Sequence, residues 1–304
     1  MKQDNRIPTI LLTGFLGAGK TTLLNRLIEH YRIQRTVLLI NEFGETGIDA
    51  DLLNPGNYQT IELNKGSLFC ICVRNDFIAA LAQVANELQP ELLIIEATGL
   101  ANMAETEQML ALPNLINKIQ LQSCICLVDC TSFLKIKNNL QAPATQIAYA
   151  DLVLLNKIDL VTEAQRQQVE IGVREISPAV LIYHTKYADF PLESLATLCH
   201  SQVRVDAQPD NGYPDPVASM TIMANGSFTH TSWRELLELV QPGLLRLKGF
   251  ITLSYETYYV DAVFDRVHLT ATNRIRKGTN RLVIIGSQTP TQQITEWLEK
   301  TLPR

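Results

Sequence analysis

The sequence predicts an α/β fold, a parallel sheet with helices on both faces, followed by a smaller C-terminal α+β domain. Over the first two thirds, short apolar segments typical of buried parallel strands alternate with segments of helical periodicity. The alternation stops near Val205, and residues 206–216 are dense in Pro, Gly, Asn and Asp, which is typical of a linker. We therefore predict a first domain over residues 1–205, a linker over 206–216 and a second domain over 217–304.

Each element of the first domain follows from this alternation. Strands are predicted over Thr9–Thr13, Thr36–Ile40, Tyr58–Leu63, Glu91–Glu96, Ile119–Asp129, Asp151–Asn156 and Val180–Tyr183. Helices are predicted over Lys20–Tyr31, Phe77–Leu88 and Glu163–Ile176. In the second domain, a strand-like stretch over Ala218–Met223 precedes a helix over Thr231–Val240, for which Thr231 or Ser232 is the expected N-cap. Between this helix and a last one over Thr291–Leu302, strand-like stretches are predicted over Leu244–Ser254, Thr257–Phe264, Arg266–Thr272 and Asn280–Ile285.

Composition excludes several classes of protein. The 304 residues are 46% hydrophobic and 19% charged, the balance of a soluble globular chain. The net charge of −5 gives no support to a nucleic-acid surface, and no apolar run is long enough to span a bilayer. The apolar stretch Ile10–Leu12 leads directly into a glycine-rich loop, so it predicts a core strand and not a secretion signal. We expect a cytoplasmic protein with neither nucleic acid nor membrane as partner.

Residues Gly14–Thr22 read GFLGAGKTT and contain the pattern G-x-x-x-x-G-K-[ST] of a P-loop NTPase. The glycines allow the backbone to wrap around phosphates, and the helix that begins at Lys20 directs the positive end of its dipole at them. Lys20 is expected to reach the β- and γ-phosphates, and the Thr21 hydroxyl to bind Mg²⁺. The predicted phosphate-binding residues are Gly14, Gly17, Ala18, Gly19, Lys20, Thr21 and Thr22.

A second motif, Asn156-Lys-Ile-Asp159, follows the strand that ends at Asn156. The Asp159 carboxylate can accept two hydrogen bonds from the ring and exocyclic N–H groups of guanine, a pair that adenine lacks. The Lys157 stem can lie along the base plane. Together with the phosphate loop, the motif predicts GTP as the nucleotide, bound in part by Asn156, Lys157 and Asp159.

A third segment, Glu96-Ala-Thr-Gly99, lies at the end of the apolar strand ELLIIE. A carboxylate at this point can hold Mg²⁺ directly or through water, and the Gly99 N–H can bond the γ-phosphate. Glu96 and Gly99 are therefore candidate site residues.

These motifs together resemble those of the CobW-like GTPases, relatives of HypB and UreG. The resemblance runs from about Ile7 to Gly286, and it rests on the segments Thr13–Leu27, Asn41–Glu45, Glu96–Ala101, Leu244–Gly249 and Leu282–Gly286. It implies GTP hydrolysis, with Lys20, Glu42 and Glu96 as catalytic residues and Thr21, Glu42 and Glu96 around Mg²⁺. It also implies delivery of a metal such as Zn²⁺ or Co²⁺ to a client metalloprotein, with a homodimer as one candidate assembly.

The cysteine motif departs from the family pattern, which has three cysteines in Gly-Cys-x-Cys-Cys. Cys70 falls on the middle cysteine, Leu68 and Ile71 replace the other two, and Cys72 is an additional thiol. Ile40 also replaces a glutamate that many members have. Cys70 and Cys72 can provide two soft ligands for a transition metal, with Glu45, a histidine or a second subunit completing the site. They can equally be structural thiols beside the nucleotide, and a redox role is a third alternative, although C-x-C is not the usual C-x-x-C motif.

Three functions are therefore open: a metal chaperone or metalloenzyme-maturation GTPase, a regulatory or assembly GTPase without metal binding, and a P-loop kinase of a small molecule. The motif NKID and the segment NEFGE argue against the kinase. Arg74 is the one candidate arginine finger, so we expect slow turnover without a partner. Cys124, Cys126 and Cys130 are predicted core residues, and the histidines have no metal-ligand spacing.

Overall fold

The computed structural model describes residues 5–41, 53–63, 71–137, 140–200, 217–273, 277–287 and 290–302, without the side chains of residues 71–73. The described residues divide into two compact units, one on each side of residues 201–216. The predicted linker lies outside the described residues, as do Glu42, Glu45 and Cys70.

The first unit contains a seven-stranded parallel sheet. Its strands are β1 Ile7–Gly14, β2 Thr36–Asn41, β3 Tyr58–Leu63, β4 Leu92–Glu96, β5 Ile119–Asp129, β6 Leu152–Asn156 and β7 Leu181–His184. They pair in the order β3-β2-β4-β1-β5-β6-β7, and every pair is parallel. The central strands are buried on both faces because helices cover both, which explains their nearly continuous apolar sequences.

In the described part of this unit, six α-helices accompany the sheet: α1 Lys20–His30, α2 Ile71–Gln83, α3 Met103–Leu110, α4 Phe133–Ile136, α5 Ala142–Ala148 and α6 Glu163–Ile176. Helix α2 continues into one π-helical turn over Val84–Leu88. Leu23 and Leu27 of α1 pack against one face of the sheet, whereas Phe77 of α2, Met103 of α3 and Val173 of α6 lie in the cores of the other. The predicted α/β class is therefore confirmed, although the sequence pattern missed α3, α4 and α5.

The second unit is an antiparallel sheet with two helices. Its elements are β8 Ala218–Asn225, α7 His230–Val240, β9 Leu244–Leu253, β10 Glu256–Val263, β11 Arg266–Ala271, β12 Thr279–Gly286 and α8 Thr291–Thr301. The strands pair in the order β11-β10-β9-β12-β8. Trp233 and Leu236 of α7 and Ile294 of α8 share one apolar core with the sheet. None of the helices in the described ranges is both long and apolar enough to cross a membrane.

The N-cap predicted for α7 is wrong. Thr229 caps the helix, and its hydroxyl and that of Ser232 each accept a hydrogen bond from the other residue's backbone N–H. This is the reciprocal arrangement of a capping box, in which Ser232 occupies the third helical position. Thr231 lies inside the first turn, where its side chain has no capping role.

Candidate nucleotide-binding site

The carboxyl ends of the parallel strands bring the predicted motifs to one edge of the sheet. Leu12 of β1 is paired with Glu96 at the end of β4, and Asp129 at the end of β5 is paired with Asn156 at the end of β6. Gly14 ends β1 between these two pairs, opposite Leu127 of β5. Three motifs that are far apart in the sequence therefore meet at the edge where open α/β sheets bind ligands.

The phosphate loop has the backbone that its glycines allow. Gly14, Gly17 and Gly19 have φ values of 135°, 80° and 109°, a region that other residues rarely adopt. Gly19 is also the N-cap residue of α1, and it has no side chain that could bond the first-turn N–H groups. Those groups can therefore donate to an anion at the helix N-terminus.

Lys20 lies over this loop. Its side chain is largely buried, and its Nζ donates to the Gly14 carbonyl oxygen at 2.9 Å. Ala18 is fully buried below the loop, Thr21 is partly buried and Thr22 is exposed. A lysine ammonium in this place faces the same space as the loop N–H groups, as phosphate binding requires.

Asn156 connects the phosphate loop to a third segment that the sequence motifs did not identify. Its Nδ2 donates to the Ala18 carbonyl oxygen at 2.9 Å, and its Oδ1 accepts from Thr185 Oγ1 at 3.1 Å and from the Ala188 N–H at 3.0 Å. A Cβ atom on Gly19 would lie 2.5 Å from Asn156 Nδ2, so the close approach requires glycine. The segment Thr185–Ala188 follows the carboxyl end of β7, at the same edge of the sheet as the motifs. Its position after a predicted strand was the signal in the sequence that could have identified it.

The other two residues of the base motif differ in their surroundings. Lys157 has a φ of 63°, and its Nζ forms an ion pair with Asp129 Oδ2 at 2.7 Å. Asp129 Oδ1 accepts from the Thr131 N–H and hydroxyl, so the carboxylate is fixed on both sides. Asp159 is exposed in the short 3₁₀ helix Ile158–Leu160, where its carboxylate can accept hydrogen bonds from a base.

Gly99 lies against the phosphate loop from the β4 side. Glu96 is buried at the end of β4, and the Ala97 N–H continues the pairing by bonding the Leu12 carbonyl oxygen. A Cβ atom on Gly99 would lie 2.7 Å from the backbone nitrogen of Leu16. Only glycine allows this contact, so the Glu96–Gly99 segment and the phosphate loop touch directly.

The residues predicted for the transition metal are only partly described. Cys72 lies in the first turn of α2, whereas Ile40 is buried under α1 and has no ligand atom to offer. Arg74 pairs with Glu105 of α3 at 2.7 Å. Within the described ranges, no group of three His, Cys, Asp or Glu side chains is arranged to hold a metal ion.

Three further cysteines pack in the core, as predicted, whereas Cys199 is exposed. Cys124, Cys126 and Cys130 are all buried. Burial raises the pKa of Cys126 to about 12, and burial together with the nearby Asp129 charge raises that of Cys130 to about 12. Both thiols therefore stay protonated near neutral pH, whereas a metal ligand must be a thiolate.

A parallel sheet that carries a phosphate loop and an N-K-x-D motif on one edge defines the molecule as a P-loop GTPase. The family described as CobW/HypB/UreG, nucleotide-binding domain, matches residues 8–184, and the cobalamin synthesis protein cobW C-terminal domain matches residues 217–302. The chain belongs to this family. The predicted family and the predicted GTPase activity are therefore confirmed, and the kinase alternative is set aside.

Similar proteins extend over nearly the whole chain. It is 27% identical to the zinc chaperone CobW of Pseudomonas aeruginosa, covering 99% of this chain and 93% of that protein. It is 27% identical to the zinc chaperone YjiA of Escherichia coli, covering 95% of this chain and 97% of that protein. The crystal structure of Zn(II)-bound YjiA GTPase from E. coli aligns with 97% of this chain and 99% of that chain, at 21% identity and a TM-score of 0.48.

Proposed function

We propose that this GTPase couples its nucleotide state to the transfer of a metal ion to a client metalloprotein, with Zn²⁺ as the first candidate and Co²⁺ as the second. The observation that supports the nucleotide site is the double contact of Asn156, a base-motif residue that bonds Ala18 of the phosphate loop and Ala188 of the segment after β7. The zinc chaperones that align with nearly its whole length support the choice of metal.

Each part of the site has a proposed role. Lys20 stabilises charge on the transferred phosphoryl group, and the Asp159 carboxylate selects guanine. Thr21 and Glu96 offer hard oxygen donors at the phosphate end, which fits Mg²⁺, and Glu42 is proposed as a further ligand. Bound Mg²⁺ would neutralise phosphate charge. The proposed nucleotide contacts are Gly14, Gly17, Ala18, Gly19, Lys20, Thr21, Thr22, Gly99, Asn156, Lys157 and Asp159.

Cys70, Cys72 and Glu45 are proposed as ligands of the transferred metal. Two thiolates and a carboxylate suit Zn²⁺ or Co²⁺, and one position remains for a ligand from the client or a second copy of the chain. The segment that contains Cys70 follows β3 at the edge of the sheet and precedes α2. Changes in that segment on GTP binding would therefore alter the metal site.

A regulatory or assembly GTPase without metal binding is the second candidate function. The buried Ile40 favours it, because this position lies in the apolar core below α1 and offers no ligand atom where many relatives have glutamate. The two functions differ in whether GTP creates a metal site.

The remaining assignments are proposals that follow from the sequence. The nucleotide domain covers residues 1–205, the linker 206–216 and the C-terminal domain 217–304. We propose a cytoplasmic location, a client metalloprotein as partner and a homodimer as one candidate assembly, with neither nucleic acid nor membrane bound.

The decisive experiment is titration of Co²⁺ and Zn²⁺ into the full chain with GDP or with a non-hydrolysable GTP analogue bound. We expect the GTP-analogue form to bind Co²⁺ with cobalt–thiolate absorption, and Zn²⁺ to displace it. The double variant Cys70→Ser/Cys72→Ser should lose the absorption and bind at least about tenfold more weakly, because a serine hydroxyl is a poor ligand for these metals.

Cys199→Ser is the matched control, because Cys199 is an exposed free thiol and its loss should leave the titration unchanged. If wild type and the double variant bind Co²⁺ equally weakly in the GTP-analogue form, the metal-transfer proposal fails. The regulatory function would then be the better explanation.

A further inference from the structure

We propose that Gln146 is a positioning residue for GTP hydrolysis, which fixes the turn that presents the Gly99 N–H to the γ-phosphate. This inference deepens the proposed function, because it rests on the assignment of Gly99 to the nucleotide site. Gln146 lies on α5, outside every motif that the sequence displays.

The side chain of Gln146 is fully buried, with 0% of its surface exposed. Its Nε2 donates to the Gly99 carbonyl oxygen at 3.0 Å, between residues 47 positions apart in the sequence. Its Oε1 has no hydrogen-bond donor among the described residues, and it borders a cavity of about 10 Å³ that Ser132 and Phe15 also line. A buried amide costs free energy unless it is bonded, so the single contact with Gly99 is a specific one.

Gly99 occupies a tight turn that this contact completes. The Ala101 N–H bonds the Thr98 carbonyl oxygen at 3.1 Å, and the Leu100 N–H bonds Thr98 Oγ1 at 3.3 Å. The peptide between Gly99 and Leu100 is therefore held at both ends, by Gln146 at its C=O and by Thr98 at its N–H. Turns interconvert by flipping this central peptide, and a flip here would break both bonds.

The opposite side of the turn is held by the phosphate loop, where Gly99 packs on the backbone nitrogen of Leu16. The Gly99 N–H itself has no acceptor among the described residues. It can therefore donate to an added phosphate oxygen. The Gly99 N–H belongs to the Thr98–Gly99 peptide, whose carbonyl oxygen accepts from the Ala101 N–H. Because Gln146 holds the adjoining Gly99–Leu100 peptide, both peptides that flank Gly99 are fixed before the nucleotide binds. A donor whose direction is set in advance stabilises developing charge best.

The test uses the full chain with three substitutions. Gln146→Leu keeps the approximate volume and removes the donor. Gln146→Glu returns a donor only when the carboxyl group is protonated. Ile147→Val trims the next residue of α5, which is equally buried but packs in the core near α6, so it reports general damage to the helix.

We expect Gln146→Leu to lower kcat about tenfold with KM within about twofold, the loss of one well-placed hydrogen bond. Affinities for GDP and for a non-hydrolysable GTP analogue should both stay within about twofold of wild type, because the fixed N–H acts on charge that develops during hydrolysis. The kcat of Gln146→Glu should rise towards wild type as the pH is lowered from about 8 to 5.5, beyond any change in wild type, because the protonated acid can donate again.

A kcat of Gln146→Leu within about twofold of wild type, or a loss no larger than that of Ile147→Val, overturns the inference. Should Gln146→Leu fail to fold, the pH profile of Gln146→Glu decides, and a profile parallel to wild type contradicts the proposal. Absence of GTP hydrolysis in wild type would instead be a failure of the nucleotide site, which separates the two results.

Discussion

Asp159 is the residue that we propose selects the base. It is exposed beside Asn156, which is locked to the phosphate loop. The carboxylate offers two acceptors and therefore matches the two N–H donors of guanine. An amide at this position offers one donor and one acceptor, and it matches xanthine, which has a carbonyl group where guanine has the exocyclic amine.

We predict that Asp159→Asn exchanges the base preference from GTP to XTP. Affinity for GTP should fall at least about a hundredfold, because the asparagine amide N–H would face an N–H donor of guanine and one hydrogen bond would be lost. XTP should become the tighter ligand. The change in base preference is measured by competition of GTP and XTP against a fluorescent GDP analogue or its xanthine counterpart. Asp265→Asn, an exposed acid of the second unit, is the matched control and should change neither affinity.

If Asp159→Asn binds both nucleotides as wild type does, the base is recognised elsewhere. The Thr185–Ala188 segment would then be the first place to search, because Asn156 binds both of these residues.

At this scale the sequence reveals residues that act through local patterns and hides those that act across the fold. Gly14–Thr22 and Asn156–Asp159 are recognisable because backbone shape and side-chain chemistry are encoded within a few residues. The bond from Asn156 to Ala18 spans 138 positions, and that from Gln146 to Gly99 spans 47. Such pairs depend on strand order, which periodicity alone does not specify.

At the scale of the element, short apolar strands and long periodic segments are predictable from the sequence, whereas short helices are not. Strand β5 and helix α6 have the bounds that the sequence predicts, because eleven and fourteen residues carry a clear pattern. Helices α4 and α5 have only four and seven residues, too few turns to establish a period. Helix α3 was missed for the same reason, although it follows Gly99 closely and begins at the N-cap Asn102.

An ion cluster joins α3 to the strands at the amino end of the sheet. The His200 side chain is only 5% exposed. Its Nδ1 lies 2.8 Å from Asp151 Oδ2, and its Nε2 lies 2.7 Å from Glu107 Oε1 on α3. Asp151 also accepts from the Cys124 N–H of β5. Burial alone would lower the pKa of His200, but the hydrogen bonds to Asp151 and Glu107 dominate and raise it to about 9.

We predict that this cluster makes stability fall as the pH rises through about 9. The pKa of His200 is higher in the folded state than its ordinary value of 6.5, so its contribution is complete below about pH 6.5 and is lost through about 9. The difference in unfolding free energy between wild type and His200→Gln, measured by urea denaturation, should reach up to about 3 kcal/mol near pH 6 and shrink by pH 9.5.

His268→Gln is the control, because His268 is exposed on β11, and its difference from wild type should not follow this course. A His200→Gln difference that stays constant from pH 6 to 9.5 would show that the imidazole is not charged in the cluster. Tyr149 lines the cavity next to His200, and burial together with the Glu107 charge raises its pKa above the ordinary value of 10, so the profile in this range reports His200.

At the scale of the whole molecule, each unit has its own apolar core. The cores of the first unit lie on the two faces of the parallel sheet, and that of the second lies between its sheet and α7 and α8. Every residue in the described ranges that we propose binds the nucleotide belongs to the first unit. Because a ligand stabilises the part that binds it, the two cores should respond differently to GDP.

We predict two thermal transitions by scanning calorimetry, of which GDP with Mg²⁺ raises one. At a GDP concentration of about 100 times its Kd, mass action adds about 2.7 kcal/mol to the unit that binds it. Leu236→Ala in α7 and Leu27→Ala in α1 are matched substitutions of fully buried leucines. Each should lower the free energy of unfolding by about 2–5 kcal/mol. Leu27→Ala should lower the GDP-sensitive transition, and Leu236→Ala should lower the other while GDP still shifts the first. If GDP shifts a single transition that both variants lower alike, the prediction is wrong and the two cores unfold as one cooperative unit. Nucleotide binding would then stabilise the C-terminal domain as well as the first unit.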